Sequence, residues 1–287
     1  MKKVLQSFVL LLVLGALMEP TDAYAQSIYG DVNGDIEVNI SDINAVIAII
    51  MGDNGPATAA DVNMDGEISI NDINAVIHII LGGSPPTPDN HEYVDLGLPS
   101  GTLWATMNIG ATSPEDYGYY FAWGETKPKG SQDNYSYDWS TYKWCDGSST
   151  TLTKYCTRSD YGWVDGKTEL TMGDDAAYIN WGAFWRMPSE EQISELVEHC
   201  TWQWTSRNDN FGRLVIGPNG NSIFLPAAGY RTGRSLYLAD WSGQYWTRTL
   251  SSGTPNYACS LFFYSPNWFW SAGSRQLGYS VRAVRAQ

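Results

Sequence analysis

The amino-acid sequence predicts two modules of different class, a small all-α unit followed by a larger α+β domain, and three observations carry that division. An internal repeat fills the N-terminal third. Asp31 to Asp42 aligns with Asp61 to Asp72 at an offset of 30 residues, and each copy continues into Ile-Asn-Ala-Val-Ile. The aromatic residues are partitioned: all 13 Trp fall between Trp104 and Trp270, whereas Gln26 to Asn90 contains no Trp, Lys or Arg. Between the two compositions lies Gly82-Gly83-Ser84-Pro85-Pro86-Thr87-Pro88-Asp89-Asn90, whose prolines favour an extended, semi-stiff spacer.

Ahead of the repeat, Met1-Lys2-Lys3 leads into an apolar run from Val4 to Met18 and then to Ala23-Tyr24-Ala25. A basic start, a short apolar stretch and a small-x-small site predict a secretory signal peptide over residues 1–25, cleaved near Ala25. The run is short for a bilayer span and no second one follows, so the expectation is a secreted or cell-surface protein without a membrane span. The expected boundaries are residues 26–83 for the first module, 84–91 for the linker and 92–287 for the second module.

Charge follows the same division. Nine carboxylates between Asp31 and Asp72 have no Lys or Arg in their own segment, while 19 acids face 15 bases from Glu92 onward. Unneutralised carboxylates at that density repel one another unless a cation joins them. The overall formal charge of −14 disfavours nucleic acid or an anionic membrane as partner.

The repeat supplies the donors such a cation needs. A 12-residue EF-hand loop offers oxygens from positions 1, 3, 5, 7, 9 and 12 to calcium. In the first copy these are Asp31, Asn33, Asp35, Glu37, Asn39 and Asp42; in the second they are Asp61, Asn63, Asp65, Glu67, Ser69 and Asp72. Position 7 contributes its backbone carbonyl. The sequence therefore predicts two calcium sites of unequal quality: Gly66 fills the sharp turn at position 6 of the second loop, whereas Ile36 fills it in the first. Each loop leads into a helix ended by Gly52 or Gly82.

From about Tyr29 to Gly83 this pattern resembles the type I dockerins. The resemblance implies two loop–helix EF-hand-like repeats, folded on calcium, that dock into a cohesin-like module. It also implies a docking face at loop positions 10 and 11 and on the following helix: Ile40, Ser41, Val46 and Ile47 in the first repeat, Ile70, Asn71, Val76 and Ile77 in the second. The helical spacing of Val46, Ile47 and Ile50 equally describes a core face. Two short helices cannot bury every apolar residue they carry, so some exposure is expected.

Beyond the spacer, Leu103 to Asn108, Tyr117 to Trp123, Arg213 to Ile216, Ser222 to Leu225, Gln244 to Thr249, Tyr257 to Tyr264 and Tyr279 to Val284 read as short strands broken by Gly and Pro turns. One helix starts at Pro188-Ser189-Glu190-Glu191-Gln192, a capping box, with Ile193, Leu196, Val197 and Cys200 on one face. Tyr93 to Thr106, Tyr120 to Thr126, Asp174 to Ala177, Trp185 to Ser189, Ile223 to Arg231 and Gly278 to Arg285 together resemble the Fibrobacter succinogenes major paralogous domain family. That resemblance implies a C-type-lectin-like fold, shared with formylglycine-generating enzymes, across residues 92–287. It implies fold and not chemistry.

The chemistry itself is sparse. The Glu-Pro-Asn and Gln-Pro-Asp triplets of sugar-binding C-type lectins are missing, and Asn208-Asp209-Asn210 and Ser265-Pro266-Asn267 are only partial likenesses. A glycosidase needs two carboxylates across a cleft. Glu125, Asp174, Asp175 and Glu190 are candidates, yet Glu190 also suits its helix N-terminus and Glu125 an arginine partner. His199 ends a helix. Cys145, Cys156, Cys200 and Cys259 permit disulfides, in three pairings, or buried free thiols. Trp202, Trp204, Trp241, Trp246, Trp268 and Trp270 lie in or beside expected loops, where most serve a core. Trp268 and Trp270, with Asn267 beside them, are the candidate ligand patch. The sequence thus predicts a calcium-dependent binding and assembly protein, its second module recognising a glycan or a surface protein, with a polysaccharide-active enzyme as the alternative.

Overall fold

A computed structural model describes residues 29–53, 57–62, 68–82, 91–130, 136–182 and 184–285. The expected signal peptide and linker, and the loop residues Asn63, Asp65 and Glu67, lie outside the described residues. Three helices are described in the first module: α1 (Ile40–Ile50), the short α2 (Ala57–Ala60) and α3 (Ile70–Ile80). Asn39 and Ser69 cap α1 and α3, each completing a capping box with an Asp three residues on. Gly52 and Gly82 follow the last turns with φ of 104° and 85°, the left-handed exit their spacing predicts.

The repeat folds because equivalent residues meet. Val32 and Val62, and Val46 and Val76, are all buried in one small core with Ala60, flanked by Tyr29, Val38, Ile49 and Ile79. Burial of each valine contributes about 1.5–3 kcal/mol. Gly30, at φ 89°, lets the chain enter: a Cβ there would stand 2.8 Å from Ile79 Cδ1. The Tyr29 hydroxyl donates to the Val62 carbonyl, tying the start of one repeat to the other. Val46 and Val76 therefore belong to the core, which corrects their assignment to the docking face.

The second module runs β1 (Tyr93–Asp95), β2 (Leu103–Ala105), α4 (Ala176–Trp181), α5 (Glu190–His199), β3 (Thr201–Arg207), β4 (Asn210–Ile216), β5 (Ser222–Pro226), β6 (Tyr230–Thr232), β7 (Ser235–Tyr237), β8 (Ser242–Leu250), β9 (Tyr257–Tyr264), β10 (Trp268–Ser274) and β11 (Val284–Arg285). Antiparallel pairing gives sheets β1-β2-β11, β3-β4-β5 and β10-β9-β8 and the hairpin β6-β7. Asn208 and Asp209, both at positive φ, close the β3–β4 hairpin, so this segment is a two-residue turn. The capping box at Ser189 and Gln192 forms as expected, and α5 buries Ile193 and Leu196 among Trp104, Trp202, Leu261 and Phe263.

Two expected strands do not form as runs. Tyr117 to Trp123 makes a single bridge, Phe121 with Tyr279, and Tyr279 to Val284 makes single bridges from Tyr279 to Phe121 and from Ser280 to Tyr245 before Val284 enters β11. Two buried arginines brace the irregular parts of this module. Arg275, fully buried, donates to the Tyr142 hydroxyl and to the carbonyls of Lys154, Tyr155 and Pro255 at 2.8–3.0 Å. Arg282 donates to Asn108 Oδ1 and to the carbonyls of Ala105, Thr106 and Phe224 at 2.9–3.1 Å, and burial pushes its pKa down to about 10. All four cysteines are free thiols. Among the described residues no helix is long and apolar enough to cross a membrane.

Candidate functional site

In the first loop the predicted ligand residues organise the backbone through their own oxygens. Asp31 Oδ1 accepts from the amides of Gly34 (2.8 Å) and Asp35 (3.1 Å), and its Oδ2 accepts from Ile36 (2.9 Å). Asn33 Oδ1 accepts from the Asp35 amide and Asp35 Oδ1 from the Glu37 amide, at 2.8 and 3.0 Å. Asn39 caps α1 through the Ser41 amide at 2.8 Å. Asp42 closes the ring: buried, it accepts from Val32 and Asn33 on Oδ1 and from Asn39 on Oδ2. Asp72 repeats that role in the second loop, buried and accepting from the Ser69 amide at 2.7 Å. Ser69 caps α3 as Asn39 caps α1.

This donor set fits a hard divalent cation. It consists wholly of oxygens, half of them carboxylate, with no Lys or Arg in the segment to compete. Among the described residues no three His, Cys, Asp or Glu converge as a metal cluster. Ile36 adopts φ 74°, the left-handed turn expected of glycine at position 6.

The two helices carry matching apolar exposure. Ile40 and Ile70, the first residues of α1 and α3, are 71% and 69% exposed, and Ile47, Ile50, Ile77 and Ile80 are also exposed. Ser41 and Asn71 lie exposed beside them. Removing Val46 and Val76 leaves a repeated face in which Ile40 and Ile47 have their counterparts in Ile70 and Ile77.

The carboxylates weighed as catalytic groups are each engaged locally. Asp175 accepts from the amides of Ala177, Tyr178 and Met187 and from Arg186 at 2.8 Å, an N-cap for α4. Burial alone would raise the Asp174 pKa; hydrogen bonds from Lys154 and Tyr155, with the charges of Lys154 and Lys143, outweigh it and leave the group lowered. Glu125 pairs with Lys129 at 3.2 Å, not with an arginine. Glu190 stands in the first turn of α5 and accepts from the Cys259 thiol at 3.3 Å. Burial first, then this carboxylate, pushes Cys259 up to about 12.

A different feature emerges between the β3-β4 and β8-β9 hairpins. A groove of about 510 Å³ has Trp204, Phe211, Trp241, Phe262 and Tyr264 among its walls, with Asp240 and Ser242 as polar members. Trp204 and Phe211 stack with ring centres 6.2 Å apart. Trp241 is 75% exposed, whereas Trp202 and Trp246 are buried in the core. Asn267 borders the groove through Nδ2, which donates to the Tyr264 hydroxyl at 3.2 Å. For Trp268 and Trp270 only the backbone is described, in register opposite Phe263 and Leu261. The sequence reading missed Leu238-Ala239-Asp240-Trp241 as one unit; a Trp behind an Asp in a turn was the available signal.

Residues 29–81 match the model of the dockerin type I domain family. No curated protein and no solved structure matches the chain.

Proposed function

We propose, from the type I dockerin domain at residues 29–81, that the chain is an exported adaptor: its first module binds two calcium ions and docks into a cohesin module, and its second module recognises a glycan or a surface protein. The carrying observation is the repeat itself, in which each acidic loop leads into a helix with an exposed isoleucine face. Calcium would supply the positive charge that lets the clustered carboxylates share one loop. Asp31, Asn33, Asp35, the Glu37 carbonyl, Asn39 and Asp42 would hold the first ion. Asp61, Asn63, Asp65, the Glu67 carbonyl, Ser69 and Asp72 would hold the second.

Because Asp42 and Asp72 also fix the helix N-termini, ion binding would set the directions of α1 and α3. It would thereby align Ile40, Ser41 and Ile47 with Ile70, Asn71 and Ile77 as the docking face. For the second module, α5 packed on antiparallel strands supports a C-type-lectin-like arrangement over residues 92–287. Surface plasmon resonance of the full chain over a panel of immobilised cohesin modules tests the reading. Docking in calcium that is abolished by EDTA is expected; docking that persists in EDTA, or none to any cohesin, would sink it.

A further inference from the structure

Resting on the reading of the second module as a binding domain, we infer that the groove around Trp241 is its ligand site and that the ligand is a neutral oligosaccharide. The charged acceptor at the groove is only partly used. Behind the wall, Gln244 is 6% exposed and its Nε2 rests 3.3 Å from Ser242 Oγ, which lines the groove. Register places Ser242 and Gln244 opposite Tyr264 and Phe262, two of the groove walls. Asp240 uses Oδ1 for the Tyr117 hydroxyl at 2.5 Å and the Phe211 amide at 3.3 Å, which leaves Oδ2 to accept from a ligand. A carboxylate oxygen with no donor from the protein favours a ligand that brings one.

The walls add a second requirement. Flat aromatic faces favour a flat, C–H-rich surface. A pyranose presents such a face together with hydroxyl donors; a lipid tail brings no donors. Charge complementarity narrows the class further: Asp240 is the one charged side chain among the described lining residues. Arg213, which meets the Trp204 ring at 5.5 Å, is only 2% exposed and offers no accessible cation. A uronate or sulfated sugar would therefore meet an uncompensated carboxylate.

The backbone is built to present this surface. Leu238 and Asp240 take φ of 57° and 64°, a backbone conformation that non-glycine residues rarely adopt. Bonds from the Asp240 amide to the Ala227 carbonyl and from the Trp241 and Ser242 amides to the Leu238 carbonyl hold the turn. Its product is a tryptophan held out at the mouth of an aromatic groove.

The test uses the full chain with calcium on immobilised gluco-, manno-, xylo- and galacto-configured hexasaccharides, with oligogalacturonate and a peptide library alongside, and calorimetry on the hits. At least one neutral hexasaccharide should bind, and Trp241→Ala should weaken it by at least tenfold. Trp163→Ala, at a site 74% exposed outside the groove, should leave it unchanged. Neutral-sugar binding that survives Trp241→Ala would overturn the groove while sparing glycan recognition by the module. Binding confined to the galacturonate, or to a peptide, with loss in Trp241→Ala, would overturn the neutral ligand; no binding to any sugar would overturn both the inference and the glycan reading beneath it.

Discussion

Replacing Ile36 with glycine should tighten calcium at the first loop. Ile36 occupies loop position 6 at φ 74°, its amide donating 2.9 Å to Asp31 Oδ2, and its side chain is 74% exposed. The substitution therefore sacrifices little burial and keeps the amide. Holding a non-glycine residue in a sparsely populated region costs about 1–3 kcal/mol. Glycine's greater freedom in the disordered loop returns about 0.5–1 kcal/mol of that gain. The net is about 1 kcal/mol toward the ordered loop. Ordering and metal binding are one equilibrium, so affinity should rise roughly fivefold. The assay is calorimetric titration of calcium into metal-free full chain carrying Asp61→Ala, which silences the second loop. An affinity for the first loop that is unchanged or weaker in Ile36→Gly would refute the reasoning, because strain at position 6 would then not limit the site.

Three further outcomes follow from the same structure. Val76→Ala should lower the stability of the first module by about 2 kcal/mol in denaturant melts followed by far-UV circular dichroism, through lost burial and a cavity, whereas Ile77→Asp on the exposed face should spare stability and weaken cohesin docking. Asp174 has a lowered carboxyl pKa, so the unfolded chain binds more protons than the native one as pH falls through the ordinary carboxylate range; stability present at neutral pH should decline below about pH 4, and Asp174→Asn should remove that part of the slope in acid titrations. Burial pushes Cys200 up to about 11 and Cys259 up to about 12, so both should resist a thiol reagent at pH 8 in the native protein and react on unfolding; rapid native labelling of either would contradict the burial.

Legibility in the sequence tracks how local each determinant is. The acidic turn of the first loop, both capped helices and their glycine exits were readable because each rests on spacing within about a dozen residues. The capping box at Ser189, and the strands from Tyr257 to Tyr264 and Ser222 to Leu225, were readable for the same reason. Tyr117 to Trp123 looked like a strand because its aromatic content suits one. Whether it pairs depends on Tyr279 and Arg275, more than 150 residues away in sequence, and these offer only isolated bridges.

The docking face divided along the same line. The family resemblance grouped Val46 with Ile47 on the expected docking face, and only the packing of one repeat on the other buried the valine and left the isoleucine exposed. Trp241 and Trp246 were equivalent as letters; the turn at Leu238 to Asp240 put one in solvent and the β8–β9 pairing put the other in the core. The sequence by itself determined the two-module plan, the oxygen-donor loops and the helix ends, because repeat, charge and cap are written in neighbouring residues. The tertiary structure alone decided which apolar residues remain exposed and where the aromatic groove opens, because both depend on surfaces that strands and helices distant in sequence bury against one another.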